Sequence, residues 1–200
     1  MHTHSPLTAS PAIPGLHYHP SYVSSEAQLL LLDAIDQQPW STELRRRVQH
    51  YGYRYDYTSH QVTAQMQAAP FPAWLSALAT QLHADGRCPL LPDQVIINEY
   101  VPGQGIAAHI DCVPCFGNTI LSLSLGSGCN MQFAQSTTQA QAVLWLEPGS
   151  LLVMTGDARY QWKHGIPARK TDTLAGQRIP RQRRVSLTFR TVILSPYTAP

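Results

Sequence analysis

The chain has 200 residues, a formal net charge of +2 and 13% charged residues, about half the usual share of a globular protein. This length suffices for one domain with a sizeable core. No apolar run approaches the ~18 residues of a membrane span, and the first ten residues lack the basic and apolar regions of a secretory signal. Four cysteines are too few and too scattered for a disulfide scaffold. We therefore expect a cytoplasmic protein with no membrane contact, as a monomer.

The amino-terminal part of the chain shows no hydrophobic period. Residues 1–20 are rich in Pro, His, Ser and Thr, so we expect no regular structure there. We predict a flexible arm over residues 1–14 and one domain over residues 15–195.

Two helices are predicted in the first half of the domain. Ser24 or Ser25 can cap a helix over residues 26–37, and Ser25 with Gln28 fits the capping-box pattern. Pro39 ends this helix. A second helix is predicted over residues 73–84, followed by Gly86 at its carboxyl end.

The second half of the chain is patterned almost entirely as strands. They are predicted over residues 95–100, 106–110, 119–125, 130–134, 142–146, 151–154, 160–163 and 185–194. Eight strands after two helices are typical of a mainly β protein with a double-stranded β-helix, or jelly roll, and the helices packed outside.

Four tyrosines alternate along the chain before the second helix. Tyr51, Tyr53, Tyr55 and Tyr57 fit a strand with one aromatic face. Such a face is either half-buried structure or a stacking platform for a planar base, with the preceding run of three arginines on phosphate. Both interpretations can hold for different tyrosines.

Positive charge is concentrated near the carboxyl end. Residues 163–190 contain eight Lys or Arg and one acid, Asp172. This asymmetry indicates either a local surface for anions such as phosphate or a solvated basic loop.

A metal site is indicated by the segment that ends in His109-Ile110-Asp111. Residues two apart on a strand point to the same face, so the imidazole and the carboxylate lie side by side. Two His and one carboxylate form the facial triad of non-haem Fe(II) oxygenases. In a jelly roll the first strand can lie beside the seventh or eighth, which predicts His164 as the third ligand.

An anion anchor is indicated by two arginines on the last strand. Arg184 and Arg190 are an even number of residues apart and therefore share a face. Guanidinium groups bind carboxylates in a bidentate manner, and burying them without an anionic partner is costly. A dicarboxylate such as 2-oxoglutarate would suit this pair.

Cys112 and Cys115 form a C-x-x-C pair directly after Asp111. A second pair is missing, whereas structural zinc needs four ligands. The alternatives are a zinc site and a chance pair in a mobile loop that is open to oxidation.

Taken together, these motifs resemble the AlkB family of Fe(II)/2-oxoglutarate dioxygenases over residues 15–193. The resemblance lies in five sequence motifs: NEY, HID, SLSLGS, LLVMTGDARYQWKHGI and RVSLTFR. It implies that Fe(II), 2-oxoglutarate and O2 are required, and that Asn98 and Tyr100 contact 2-oxoglutarate beside Arg184. Ser186, where the family often has Asn, and Arg190 would lie near the other end of the co-substrate.

The resemblance also implies a substrate class. Tyr55 matches a family tyrosine on the loop that covers the nucleobase, and we add Tyr53 and Arg54 as substrate contacts. Where the founding repair enzyme carries a second acid, this chain has Val113. Within the family, the motif sequences resemble the tRNA wobble-uridine hydroxylase branch most.

We therefore expect oxidative demethylation of alkylated bases in DNA or RNA, with release of formaldehyde, succinate and CO2. The alternatives are hydroxylation of a modified tRNA wobble uridine and hydroxylation of a protein or small molecule. A metal-free binding module is the remaining alternative, and it requires that His109, Asp111 or His164 point away from a common centre.

Overall fold

A computed structural model describes residues 12–43, 45–56 and 61–194. The helices are α1 (Ser25–Asp36), α2 (Ala73–Ala84) and the short α3 (Gly156–Tyr160). The strands are β1 (Leu16–His19), β2 (Val48–Tyr51), β3 (Gln94–Tyr100), β4 (Ile106–His109), β5 (Ile120–Gly126), β6 (Cys129–Gln135), β7 (Gln141–Leu146), β8 (Leu151–Met154), β9 (Trp162–Ile166), β10 (Thr171–Leu174), β11 (Gln177–Pro180) and β12 (Arg184–Arg190).

Two antiparallel sheets make up the fold. The larger sheet has the order β1-β8-β5-β12-β3-β2, and the smaller one has the order β4-β9-β6-β7. β10 and β11 form a separate hairpin. Apart from the pair β6 and β7, strands that are adjacent within the two sheets are far apart in sequence, as in a jelly roll, so the predicted fold class is confirmed.

The larger sheet is covered on both faces, and its alternating side chains divide between two cores. Val185, Leu187 and Phe189 pack with Leu75 and Leu82 of α2. The opposite face lies against the core between the two sheets, whose largest fully buried side chains are Phe116 and Phe133. Burying each such side chain contributes about 1.5–3 kcal/mol, so both cores stabilise the sheet.

The predicted helices are confirmed, with one local correction. α2 spans the predicted residues, and Gly86 after it has φ +68°. The Ser24 hydroxyl accepts a hydrogen bond from the Ala27 amide at 3.1 Å and is therefore the cap of α1. The capping box predicted from Ser25 and Gln28 is wrong, because the helix begins one residue earlier.

The amino-terminal stretch that we expected to be irregular contains a strand. β1 pairs with β8, with Leu16 opposite Met154. Ile13, which we placed in the flexible arm, is buried in the core between the sheets. Local periodicity did not predict β1, because its partner lies more than 130 residues away in sequence.

The predicted tyrosine strand stops at Tyr51. Gly52 follows with φ +76°, and a Cβ there would lie 1.8 Å from the carbonyl oxygen of Asp93, so only glycine fits. Tyr51 enters the core beneath the helices, whereas Tyr53 and Tyr55 pack against the core between the sheets. The single aromatic face is therefore wrong, and Tyr57 lies outside the described residues.

Two further differences lie near the carboxyl end. The short helix α3 lies between two predicted strands, so the strand that we expected from residue 160 begins at Trp162. The hairpin of β10 and β11 was not predicted. Within the described residues, no helix is both long and apolar enough to cross a bilayer.

Candidate active site

Strand pairing brings the predicted metal ligands together. β4 and β9 are antiparallel, and His109 lies directly opposite His164. The two rings are 4.5 Å apart between centroids. One ligand atom from each of His109, Asp111 and His164 lies within 4.8 Å of the others. The side chains converge, which contradicts the binding-module alternative.

A glycine beside His164 allows this close approach. A Cβ at Gly165 would lie 2.8 Å from the backbone nitrogen of Ala108. Any larger residue would push β4 away from β9 and separate the two imidazoles.

Two of the three side chains have pKa values that favour metal binding. Burial lowers the pKa of His164 to about 4, so its imidazole is neutral at pH 7. Burial alone would raise the pKa of Asp111, but the positive charge of Arg190 holds it below its usual range. Metal binding needs neutral imidazoles and ionised carboxylates, so the site is prepared for a cation.

Hydrogen bonds orient two of these groups. The His109 Nδ1–H donates to the carbonyl oxygen of Ala107 at 2.9 Å, which leaves Nε2 as the atom with a free lone pair. Arg190 Nη2 donates to Asp111 Oδ1 at 2.5 Å, and Asp111 Oδ2 lies 3.5 Å from His164 Nε2. One carboxylate oxygen is therefore held by Arg190 and the other faces the imidazoles.

Arg190 is fixed from two further sides. Its Nη1 donates to Gln94 Oε1 at 3.1 Å, and its guanidinium lies 4.7 Å from the ring centre of Phe116. The even spacing of Arg184 and Arg190 does place both on one face, as predicted. They reach different partners, however, because the strand separates them along the site.

Arg184 is buried and incompletely satisfied. Its Nη2 donates to Ser124 Oγ at 2.8 Å and to Ser186 Oγ at 3.4 Å. Among the described residues, Nε and Nη1 have no hydrogen-bond partner and no carboxylate lies within ion-pair distance. Leaving such donors unpaired costs about 1–3 kcal/mol each. A carboxylate that enters here would satisfy both atoms, so the residues fit an anionic co-substrate.

Asn98, Tyr100 and a third arginine line the same end of the site. Arg184 and Arg46 lie 5.5 and 5.9 Å from the ring centre of Tyr100, respectively. Arg46 Nε donates to Asn98 Oδ1 at 2.7 Å. A cleft lined by Tyr100, Gln104 and Arg184 opens beside them. The sequence showed Arg46 within an arginine run but gave no signal that it turns inward.

Arg159 holds the loop that leaves Asp111. It is 2% exposed, and its guanidinium donates to four backbone carbonyls: Asp111 and Cys112 at 2.8 and 3.1 Å, and Phe116 and Gly117 at 3.3 Å each. We did not assign Arg159 from the sequence, because its partners are backbone atoms, which no residue pattern reveals.

The same loop contains the cysteine pair. Cys112 and Cys115 form a disulfide, where the sequence left open a zinc site or a chance pair. Cys115 is buried, and the loop is bound by Arg159. Neither the zinc site nor the chance pair describes these two cysteines, because they are bonded to each other.

Of the three proposed substrate contacts, the two tyrosines lie near the site and the arginine lies on the surface. The ring of Tyr55 lies 5.6 Å from that of Phe116, which in turn contacts Arg190. Tyr53 packs against the same core. Arg54 instead forms an exposed ion pair with Glu43.

The basic segment contains both buried or paired arginines and exposed cations. Arg181 forms a buried ion pair with Asp172 at 2.6 Å, and Arg183 pairs with Asp36 and Glu99. The exposed cations are Lys163, Arg169, Lys170 and Arg178. The basic surface is therefore about half as large as the sequence suggested.

Comparisons with known proteins agree with this geometry. Residues 15–190 match the model of the 2OG-Fe(II) oxygenase superfamily. The solved structure of OsALKBH1 superposes with a TM-score of 0.68 over 90% of this chain and 97% of that one. At 18% identity, this likeness concerns the fold.

Relatives of higher identity differ in length. An uncharacterized protein of Acanthamoeba polyphaga mimivirus is 38% identical over 86% of this chain and 82% of its own length. The Arabidopsis thaliana alkylated DNA repair protein ALKBH8 homolog is 36% identical, with 90% of this chain covered but 59% of that protein. The mouse tRNA (carboxymethyluridine(34)-5-O)-methyltransferase ALKBH8 is 40% identical, and this chain spans 25% of it.

Proposed function

The chain belongs to the AlkB-like proteins of the 2OG-Fe(II) oxygenase superfamily, and we propose that it is a dioxygenase that removes alkyl groups from nucleobases in DNA or RNA. The observation that carries this proposal is the convergence of His109, Asp111 and His164 beside a buried, unsatisfied Arg184.

The metal would be held by the His109, Asp111 and His164 side chains. When bound, Fe(II) would activate O2, which is the oxidant: one oxygen atom would hydroxylate a C–H bond of the substrate, and the other would enter succinate as 2-oxoglutarate loses CO2. Arg190 keeps one oxygen of Asp111 engaged, which leaves the other to the metal. The hydrogen bond from His109 to Ala107 holds the imidazole in the correct tautomer.

The co-substrate would be held at the other end by Arg184. Its two unpaired donors suit the distal carboxylate of 2-oxoglutarate, and a bidentate guanidinium contact fixes the orientation as well as the charge. Asn98, Tyr100 and Ser186 lie around this guanidinium and would complete the binding site.

A nucleobase substrate is supported by Tyr53 and Tyr55, which lie against the core between the sheets at the side of Phe116. Aromatic rings in this place can stack on a base that is flipped from a duplex or taken from a single strand. Hydroxylation of an N-methyl group gives a hemiaminal, which collapses to formaldehyde and the unmodified base. The exposed cations Lys163, Arg169, Lys170 and Arg178 would bind phosphates.

Hydroxylation of a modified tRNA uridine is the second candidate. It is favoured by the 40% identity to the mouse protein named as a tRNA methyltransferase. With a carbon-linked group on the uridine, the alcohol would remain and no formaldehyde would be released. The monomeric state and the cytoplasmic location stay predictions.

One assay separates these candidates. The protein is incubated with Fe(II), ascorbate and 2-oxoglutarate against methylated oligonucleotides and bulk tRNA, and the products are analysed by mass spectrometry. Demethylation predicts loss of a methyl group with equimolar formaldehyde and succinate, whereas uridine hydroxylation predicts gain of one oxygen. The His164→Ala variant is the control. Succinate release that no nucleic acid stimulates would contradict both candidates.

A further inference from the structure

Three consecutive arginines precede β2, and each lies in a different environment. The Arg45 side chain is exposed. Arg47 forms a bidentate ion pair with Glu99, at 2.6 and 2.7 Å, and lies over the ring of Trp40. Arg46 turns into the site and contacts Asn98 and Tyr100.

Strand alternation explains this division. Val48 lies opposite Asn98 in the pairing of β2 with β3, and the Glu99 amide donates to the Arg47 carbonyl just beyond it. Opposite residues of antiparallel strands share a face. Continued by one more residue, this register places Arg46 opposite Tyr100, on the inward face.

The contact with Arg46 fixes the orientation of the Asn98 amide. A guanidinium can only donate, so the atom that receives its hydrogen bond at 2.7 Å is the Asn98 oxygen. The amide nitrogen, with its two donors, is therefore turned away from Arg46. Asn98 is 7% exposed and lies opposite Ser186, so these donors belong to the interior of the site.

Arg46 also adds positive charge at this end of the site. Two guanidinium groups contact the ring of Tyr100, and like charges so placed repel one another in a partly buried environment. A dicarboxylate relieves this repulsion, whereas a neutral ligand does not.

We propose that Arg46 is a positioning residue for 2-oxoglutarate. It orients the Asn98 amide so that its N–H groups face the co-substrate, and it adds a third positive charge to those of Arg184 and Arg190. This inference rests on the proposed function, in which Arg184 binds the distal carboxylate. Arg45 and Arg47 do not position 2-oxoglutarate.

The test measures binding rather than turnover. With Mn(II) as a redox-stable substitute and without O2, calorimetry gives the dissociation constants of Mn(II) and of 2-oxoglutarate. Arg46→Ala raises the constant for 2-oxoglutarate about 10- to 100-fold, as expected for a hydrogen bond to a charged group, and leaves that for Mn(II) unchanged. Arg45→Ala, the matched control, changes neither.

A double-mutant cycle with Asn98→Ala tests the route of the effect. If Arg46 acts through Asn98, Arg46→Ala causes a much smaller loss in the Asn98→Ala background than in the wild type. Arg46→Lys, which keeps a donor and the charge, restores part of the affinity. A purely structural role would instead weaken Mn(II) and 2-oxoglutarate binding together in Arg46→Ala.

The two proposals fail in different ways. A wild-type protein that binds no 2-oxoglutarate would overturn the proposed function. A wild type that binds 2-oxoglutarate, with equal affinity in Arg45→Ala and Arg46→Ala, would overturn only the role of Arg46. Full additivity with Asn98→Ala would overturn the positioning of the amide.

Discussion

The two faces of β12 have opposite properties although they alternate residue by residue. Toward the helices, the strand presents Val185, Leu187 and Phe189, all fully buried among other apolar side chains. Toward the smaller sheet, it presents Arg184, Ser186 and Arg190, which are also buried but charged or polar. One seven-residue strand therefore supplies both stability and chemistry, and mutations on its two faces should separate these contributions.

The largest expected effect is on catalysis, at the metal-binding end of the inward face. His109→Ala removes one of three predicted ligands and should abolish succinate release, measured in the presence of Fe(II) and 2-oxoglutarate. His17→Ala, at an exposed histidine of β1, is the control and should retain full release. Full turnover by His109→Ala would remove His109 from the ligand set.

On the helix-facing side, Leu187→Ala should reduce the free energy of unfolding by about 2–5 kcal/mol, because it leaves a cavity in a packed core. The measurement is urea denaturation. Under native conditions, the folded protein should bind 2-oxoglutarate with unchanged affinity. Leu29→Ala, at a leucine of α1 that is 69% exposed, should cost less than about 0.5 kcal/mol. Equal losses in both variants would contradict the assignment of this face to stability.

Arg184→Met should have the reverse effect. The dissociation constant of 2-oxoglutarate should rise about 100-fold, since a buried bidentate contact is lost. Stability should stay the same or increase, because the variant removes a buried charge that lacks an anionic partner among the described residues. Calorimetry and urea denaturation measure the two quantities. A clear loss of stability would show that the Arg184 side chain is structural.

Arg190→Lys is expected to have the smallest effect of the four, about a tenfold loss of 2-oxoglutarate affinity. Lysine keeps the charge but cannot bridge Asp111 and Gln94 as the guanidinium does. The exposed Arg178→Lys is the control. Unchanged affinity in Arg190→Lys would contradict both the sequence-based prediction that Arg190 anchors the anion and a role for its bridge between Asp111 and Gln94 in co-substrate binding.

The parts of the fold that the sequence predicted are those with a local cause. Period-2 alternation gave the jelly-roll strands from β3 onward, and the spacing of His109 and Asp111 gave two ligands on one side of the chain. His164 could be placed because a jelly roll brings early and late strands together. β1 escaped prediction because its four residues are ordered by a distant partner, β8.

The errors in the site have an equally physical origin. Gly52, which adopts a positive φ, divides the tyrosines between two cores, and an alternation count does not register such a bend. Half of the basic residues between 163 and 190 are buried or paired with acids, and a count of charges does not reveal such partners. Arg159 binds backbone carbonyls, and Arg46 depends on the register of β2 with β3. Neither is visible in a motif.

The most direct test of this account is a crystal structure of the protein with Mn(II) and 2-oxoglutarate, grown without O2. We expect an anomalous peak about 2 Å from one ligand atom each of His109, Asp111 and His164, and a carboxylate of 2-oxoglutarate on Nε and Nη1 of Arg184. A metal bound elsewhere, or a 2-oxoglutarate that does not contact Arg184, would contradict it.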